Sequence, residues 1–236
     1  MLALLSLVSA SPQRVLCFGD SLTAGTSPPL DSLYPYSPSL ERAIGSSTAL
    51  VRHLGLPGAS AAMMLQYAND DQRGFNSLLK RTSPHLAIII AGTNDLGYHS
   101  EPGPILQALC GLHEMAHSLE VPTLAVGIPP SAYQAQQSEA AELAISVNRQ
   151  LRAWCLERGE MLPWRREFAG GKVVKSGGAS GPFATYVDSP ITQWRREDGL
   201  WAPDGLHLSP NGYARLGEGL AGAVAERLRC LSPPPS

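Results

Sequence analysis

The stretch Val15-Leu16-Cys17-Phe18-Gly19-Asp20-Ser21-Leu22 joins a short apolar run to a glycine, a carboxylate and a hydroxyl. The apolar run predicts a buried strand, so Ser21 is expected at its carboxyl end, where open α/β sheets present groups to ligands. A serine in this place can attack a carbonyl through its hydroxyl and hold the resulting oxyanion with its backbone N–H. Gly-Asp-Ser also occurs in turns that Asp and Ser cap, so the functional interpretation depends on the other residues.

The composition of the 236 residues, 44% hydrophobic and 16% charged, favours one α/β domain with a sizeable core. The formal net charge is −2 and no stripe of Lys and Arg occurs, which argues against a nucleic-acid partner. No apolar run reaches the ~18 residues that span a bilayer, so stable membrane insertion is not expected. Residues 1–10 resemble the apolar core of a signal peptide but lack a basic start, and a cytoplasmic or organellar location is favoured over secretion.

Neither the cysteines nor the histidines show the spacing of a metal site. The four cysteines fall on different predicted elements, which favours buried free thiols over disulfides: Cys17, Cys110, Cys155 and Cys230. His113 and His117 lie four residues apart on a predicted helix and could supply two ligands, but no third ligand is evident. We therefore interpret them as an ordinary surface or core pair and predict no metal.

Short apolar runs alternate with longer helical patterns, which is typical of βαβ units and a mostly parallel sheet. The predicted strands are Arg14–Phe18, Ala49–His53, Leu86–Ala91, Thr123–Gly127 and Ala184–Val187. The predicted helices are Ala61–Asn69, Pro104–Leu119, Gln137–Arg158 and Pro210–Leu228. The third strand has no polar alternation, so it is expected at the centre of the sheet with both faces covered.

Two segments interrupt this pattern. Thr26–Ser39 contains four prolines and two tyrosines, which predicts an ordered loop beside Ser21. The glycine-rich segment 170–181 predicts a flexible insertion, and it lacks the GxxxxGK[ST] motif of a phosphate loop. The domain is expected to span residues 14–229, between a leader at 1–13 and a tail at 230–236.

Asp204 and His207 stand three residues apart where a loop enters the last predicted helix. This spacing allows the carboxylate to hold one imidazole nitrogen while the other nitrogen faces a serine. Taken alone, the two residues are better explained by a turn aspartate and a histidine with satisfied hydrogen bonds. Their interpretation therefore rests on the rest of the site.

An acyl-transfer site also needs hydrogen-bond donors for an oxyanion, and the turns after the second and third strands supply candidates. Gly55 and Gly58 both lie in the first turn, and Gly58 is next to the start of a predicted helix. Asn94 in the second turn can point an uncharged amide N–H into the same crevice. Asp95 is expected to brace its turn through backbone hydrogen bonds. Each turn is by itself also a normal strand exit.

The four blocks follow one another as Gly-Asp-Ser-Leu, Gly58, Gly92-x-Asn94-Asp95 and Asp204-x-x-His207. In this order the chain resembles the GDSL, or SGNH, hydrolase superfamily over residues 14–229. The resemblance implies a flavodoxin-like three-layer α/β/α sandwich around a five-stranded parallel sheet, with no metal or organic cofactor. It also implies the site residues: Ser21 as nucleophile and oxyanion donor, Gly58 and Asn94 as further donors, His207 as general base and Asp204 as its partner. Gly55 competes with Gly58, and Leu208 stands where many members carry proline.

These residues and the resemblance predict a serine esterase that hydrolyses small or medium acyl esters through an acyl-enzyme on Ser21. No apolar lid helix is evident, and the Thr26–Ser39 loop is expected to narrow the pocket. Because the base must be neutral, activity is expected to fall as the pH drops through about 6–7. The alternatives are an acyltransferase, in which a bound alcohol replaces water, and a non-catalytic binding module.

Overall fold

The computed structural model describes residues 11–160, 166–169, 172–175 and 183–231. The strands are β1 Gln13–Gly19, β2 Ala49–Gly55, β3 Leu86–Ile90, β4 Thr123–Val126, β5 Arg166–Ala169, β6 Lys172–Lys175 and β7 Ala184–Val187. The helices are α1 Ser21–Ala24, α2 Ser37–Ile44, α3 Ala61–Gln66, α4 Phe75–Thr82, α5 Pro102–Ser118, α6 Ala132–Gln136, α7 Ser138–Glu160 and α8 Pro210–Leu231. Single 3-10 turns lie at Asn94–Gly97 and Arg196–Asp198.

The main sheet has five parallel strands in the order β2-β1-β3-β4-β7. All five strands predicted from the sequence are therefore confirmed. The chain passes from β1 to β2 on one side and returns to β3 on the other side of β1. Such a reversal opens a crevice at the carboxyl ends of the two neighbouring strands, because their connections leave in opposite directions. Ser21 follows β1 and lies at this place.

Helices cover both faces of the sheet, as the three-layer prediction requires. Alternate residues of β1 point to opposite faces, so that Leu16 and Phe18 join one core while Val15 and Cys17 join the other. The first core is closed by α3, α4, α5 and α7, and the second by α2 and α8. Every residue of β3 is buried, which confirms the prediction of a central strand covered on both sides.

Four helices were not predicted from the sequence, and the two longest of them are α2 and α4; the other two are α1 and α6. Helix α2 begins at Ser37, so the loop predicted over Thr26–Ser39 ends at Tyr36. Pro38 lies in the first turn of this helix, where a missing N–H costs no hydrogen bond, and it does not break the helix. Helix α4 was not predicted either, since its eight residues are too few to show a clear period.

A second sheet contains the antiparallel pair β5 and β6. Strand β6 lies within the glycine-rich segment predicted as an insertion loop. The rest of that segment, residues 170–171 and 176–181, lies outside the described residues, as do residues 1–10 and 232–236.

The four cysteines are free. Cys17 and Cys155 are buried, whereas Cys110 is half-buried and Cys230 is exposed, so the prediction of buried thiols is wrong for Cys230. None of the helices in the described part of the chain has the length and apolarity that a bilayer crossing requires.

Candidate active site

Ser21 begins a single helical turn at the end of β1. The side chain of Asp20 caps this turn and accepts a hydrogen bond from the N–H of Leu22 at 2.8 Å, while Gly25 ends it in a left-handed conformation (φ 85°). Gly19 precedes the cap, and a Cβ there would lie 1.9 Å from the carbonyl oxygen of Ile90. The close approach of β1 and β3 therefore requires a glycine directly before the Asp-Ser pair.

The loop before α8 presents Asp204 and His207 on the same side of the chain. One carboxylate oxygen of Asp204 accepts hydrogen bonds from the backbone N–H groups of Leu206 and His207, both at 3.0 Å. The other oxygen lies 2.6 Å from Nδ1 of His207. Gly205 makes the turn possible with φ 67°. The carboxylate thus holds both the loop and the orientation of the imidazole.

The second imidazole nitrogen of His207 faces the serine, with Nε2 at 2.9 Å from Oγ of Ser21. The side chain of His207 is 15% exposed and that of Asp204 is 34% exposed. Burial would raise the pKa of Asp204, but the hydrogen bonds from the His207 side chain and from two backbone N–H groups hold it below its ordinary value. At neutral pH a carboxylate therefore faces the imidazole on one side and a hydroxyl on the other.

The turn after β2 distinguishes the two candidate glycines. A Cβ on Gly55 would lie 2.0 Å from the backbone nitrogen of Ala24 and 2.5 Å from the carbonyl oxygen of Asp20, so this glycine packs against the turn that carries Ser21. Gly58 has φ 76°, and a Cβ there would meet no atom within 4 Å. Gly58 is the one of the two that borders open space.

Asn94 lies across the crevice from this turn, at the start of the 3-10 turn after β3. Its side-chain amide donates to the carbonyl of Ala59 at 3.0 Å, which places the amide beside Gly58. An Asn amide has two N–H groups, and this contact uses one of them. The side chain is thus fixed at the same turn as the candidate backbone donor.

Asp95 is fully buried and accepts hydrogen bonds from backbone, as the sequence predicts. The prediction placed these bonds within its own turn, whereas the structure shows them at another segment. Its carboxylate accepts from the N–H of Ala61, at 2.9 Å from one oxygen and 3.2 Å from the other. Ala61 begins α3, so Asp95 joins the turn after β3 to the turn that contains Gly58. Burial raises the pKa of Asp95, and the Ala61 N–H opposes this rise.

Asp20 is also fully buried. Burial raises its pKa to about 7, while the N–H of Leu22 lowers it and the charge of Asp95 adds to the rise. Two buried carboxyl groups therefore accept hydrogen bonds from the Ser21 turn and from the start of α3, which follows the Gly58 turn. Neither occupies the position of the imidazole, so we assign both to support of the backbone.

His113 and His117 lie away from this crevice, next to the amino end of β4. Nδ1 of His113 and Nε2 of His117 lie 2.8 and 2.9 Å from the hydroxyl oxygen of Thr123. The described residues contain no group of three side chains that could hold a metal ion. The pair is therefore part of the packing between α5 and β4.

A cleft of about 350 Å³ opens beside the Gly58 turn. Its lining residues are Leu54, Gly55, Leu56, Pro57 and Arg73. The N–H of Leu56 donates to the carbonyl of Gly19 at 2.8 Å, so one wall of the cleft is attached to the residues that lead into Ser21.

Comparison with protein-family models gives a match to the GDSL-like Lipase/Acylhydrolase family over residues 17–215. The matched range begins in β1 and ends in α8, and it includes every candidate site residue. By sequence, no curated protein matches the chain.

Among solved structures, the chain is similar to a family 3 carbohydrate esterase of Clostridium thermocellum, with 16% identity, a TM-score of 0.65 and coverage of 94% of this chain and 100% of that one. It is also similar to the psychrotrophic esterase EstA of a Pseudoalteromonas species, in a structure inhibited by monoethylphosphonate. That match has 14% identity, a TM-score of 0.65 and coverage of 92% and 99%. At such low identity these likenesses support the fold.

Proposed function

Since the chain belongs to the GDSL-like lipase/acylhydrolase family, we propose that it hydrolyses carboxylic esters through an acyl-enzyme formed on Ser21. The observation that carries this proposal is the line of contacts from Ser21 Oγ to His207 Nε2 at 2.9 Å and from His207 Nδ1 to Asp204 at 2.6 Å. A hydroxyl, an imidazole and an ionised carboxylate in this sequence are what nucleophilic acyl transfer requires.

In the first step, His207 takes the proton of Ser21 as Oγ attacks the ester carbonyl. The tetrahedral oxyanion is held by the backbone N–H groups of Ser21 and Gly58 and by the amide of Asn94. His207 then donates its proton to the leaving alcohol, and the C–O bond to that alcohol breaks. Asp204 keeps Nδ1 protonated and stabilises the imidazolium that forms between these events.

In the second step, a water molecule replaces the alcohol. His207 takes a proton from the water as it attacks the acyl carbonyl, and returns that proton to Ser21 when the acid leaves. Only neutral imidazole can act as a base, so each step begins with an uncharged His207. The ionised Asp204 favours the imidazolium cation once it has formed.

For the substrate, we propose esters with a small or medium acyl group. The proteins with similar folds include a carbohydrate esterase and an acetyl esterase.

Labelling with a fluorophosphonate tests the assignment, because the probe reacts with an activated serine. We expect wild-type protein to be labelled and Ser21→Ala to lose both label and esterase activity. His207→Ala should lower kcat by a factor of about 10³ or more. Ser27→Ala is the matched control, since Ser27 is another buried serine of the same region and should stay active. Equal labelling of Ser21→Ala and wild type would refute the assignment.

A further inference from the structure

Tyr213 lies in the first turn of α8 and is 1% exposed. Its hydroxyl donates a hydrogen bond to the backbone carbonyl of Thr26 at 2.6 Å, across 187 positions of sequence. The contact between Ser21 and His207 spans 186 positions. The two hydrogen bonds therefore connect the same two distant segments of the chain.

On one side, Tyr213 is firmly attached to the loop that carries His207. Its N–H donates to the carbonyl of Ser209 at 2.9 Å. The hydroxyl of Ser209 donates to the carbonyl of Gly199 at 2.6 Å, and its N–H donates to Leu200 at 2.9 Å. Within the loop, the N–H of Ala202 donates to the carbonyl of His207 at 2.8 Å. A movement of Tyr213 would therefore be passed to the base.

On the other side, Thr26 is attached to the nucleophile. The N–H of Thr26 donates to the carbonyl of Ser21 at 3.1 Å, and the N–H of Gly25 donates to the same carbonyl at 2.9 Å. The carbonyl that Tyr213 binds thus belongs to the residue that closes the turn of Ser21. The phenol stands between the two halves of the candidate triad.

Packing between α2 and α8 fixes the same two segments more coarsely. Gly217, one turn farther along α8, lies so close to α2 that a Cβ there would be 2.4 Å from the carbonyl of Tyr36. That contact sets the distance between the helix axes. The hydrogen bond from the Tyr213 hydroxyl lies nearer to the site than this packing contact. It also restricts the angle between its two groups, which a packing contact does not.

We propose that Tyr213 is a positioning residue, whose hydrogen bond to Thr26 holds the Ser21 turn and the His207 loop at the spacing that proton transfer needs. It touches no reacting atom. The expected effect on kcat rests on the proposed function. The position of the His207 ring can be measured without any substrate.

The test replaces the hydroxyl and keeps the ring, as Tyr213→Phe. The control is Tyr36→Phe, a fully buried tyrosine at the interface of α2 and α8 whose hydroxyl lies beside Cys17 and Thr23, in the half of the site that carries Ser21. We expect Tyr213→Phe to lower kcat on 4-nitrophenyl acetate roughly 10-fold with KM changed less than about 2-fold. Reacting groups that are displaced by ~1 Å can lose up to ~10²-fold in rate. Tyr36→Phe should keep the wild-type kcat, although both variants can melt at lower temperature.

The second readout is the NMR signal of the His207 ring, which senses the hydrogen bond to Ser21. Ser21→Ala should shift this signal, and Tyr213→Phe should shift it in the same direction while Tyr36→Phe leaves it in place. If no variant or wild type hydrolyses esters but these shifts appear, the esterase proposal fails and the positioning role stands. A wild-type kcat together with an unshifted His207 signal in Tyr213→Phe would overturn the positioning role.

Discussion

Gly55 and Gly58 stand three residues apart in the same turn, yet a methyl group would meet different surroundings at the two positions. At Gly55 it would overlap the backbone of the Ser21 turn, whose atoms cannot move aside without moving Ser21. At Gly58 it would point into open space and meet only the strain of a positive φ. One glycine is required by packing, and the other by the backbone conformation.

The two alanine variants should therefore fail in different ways. We expect Gly55→Ala to lose about 3 kcal/mol of stability, because the overlap is with backbone. Gly58→Ala should lose only ~1–2 kcal/mol from backbone strain, but its kcat should fall because the proposed donor N–H is displaced. Thermal melts and ester kinetics on both proteins check this. Equal melting temperatures would contradict the packing argument, and an unchanged kcat for Gly58→Ala would argue against its role as a donor.

Single residues of the site could be predicted from sequence where a short motif carries them. Asp204 and His207 are three positions apart, so their spacing allows the contact, and the resemblance to a known family singled out the pair. Tyr213 gave no such signal, because its partner is a backbone carbonyl 187 positions away that no side-chain pattern reports. The segment that Asp95 binds was wrongly predicted for the same reason. Its carboxylate accepts from the backbone N–H of Ala61, which follows a different turn and is distant in sequence.

At the level of elements, α5 and β4 are joined by a buried polar contact. His113 and His117 both lie within hydrogen-bond distance of the hydroxyl of Thr123, the first residue of β4. His113 is fully buried, and this burial lowers its pKa to about 3, with the neighbouring His117 adding to the effect. In the folded protein His113 is therefore neutral, whereas in the unfolded chain it would bind a proton below its ordinary value of 6.5.

This difference makes the fold sensitive to acid. The contribution of neutral His113 to the free energy of unfolding is complete above pH 6.5. It is lost as the pH falls towards 3, because over that range the unfolded state binds one more proton than the folded state. One such proton changes the unfolding free energy by up to ~1.4 kcal/mol per pH unit. We expect the free energy of unfolding, measured by urea titration, to fall less steeply between pH 6 and pH 4 in His113→Asn than in wild type. His85→Asn, which alters an exposed histidine, serves as the control. An unchanged slope in His113→Asn would contradict the argument.

The strands were easier to predict than the helices. Buried strands of a parallel sheet are short, continuous apolar runs, and all five main-sheet strands were found within two residues of their ends. Helix α2 was missed because prolines in Tyr34–Ser39 suggested a loop, although a proline is acceptable in the first turn. Helix α3 ends at Gln66, earlier than predicted, because the chain turns at Tyr67.

For the whole molecule, the strand order explains how distant parts meet. The reversal beside β1 opens the crevice, the turns after β2 and β3 form its walls, and the loop before α8 returns across the sheet to Ser21. The ordered motifs were sufficient to predict this arrangement. The antiparallel pair β5 and β6 was not predicted, because β6 lies in a glycine-rich segment that carries no periodic pattern of apolar residues.

The proposed preference for small or medium acyl groups can be tested on the whole molecule. We expect kcat/KM on nitrophenyl esters to be highest for two to six acyl carbons. It should fall roughly 10-fold by twelve carbons, because a long chain would leave apolar surface in water. A series from acetate to laurate measures this directly, with Ser21→Ala as the blank. Highest efficiency on laurate would exclude a small acyl site.

The distance of 186 positions between Ser21 and His207 also has a consequence during synthesis on the ribosome. Ser21 is made early, but His207 is added only after all five strands of the main sheet have been translated. On the proposed mechanism a nascent chain would carry Ser21 without its base, so we expect Ser21 to react like an ordinary serine until then. We expect ester hydrolysis to begin only when α8 docks, so that the first turnover would report that folding is complete.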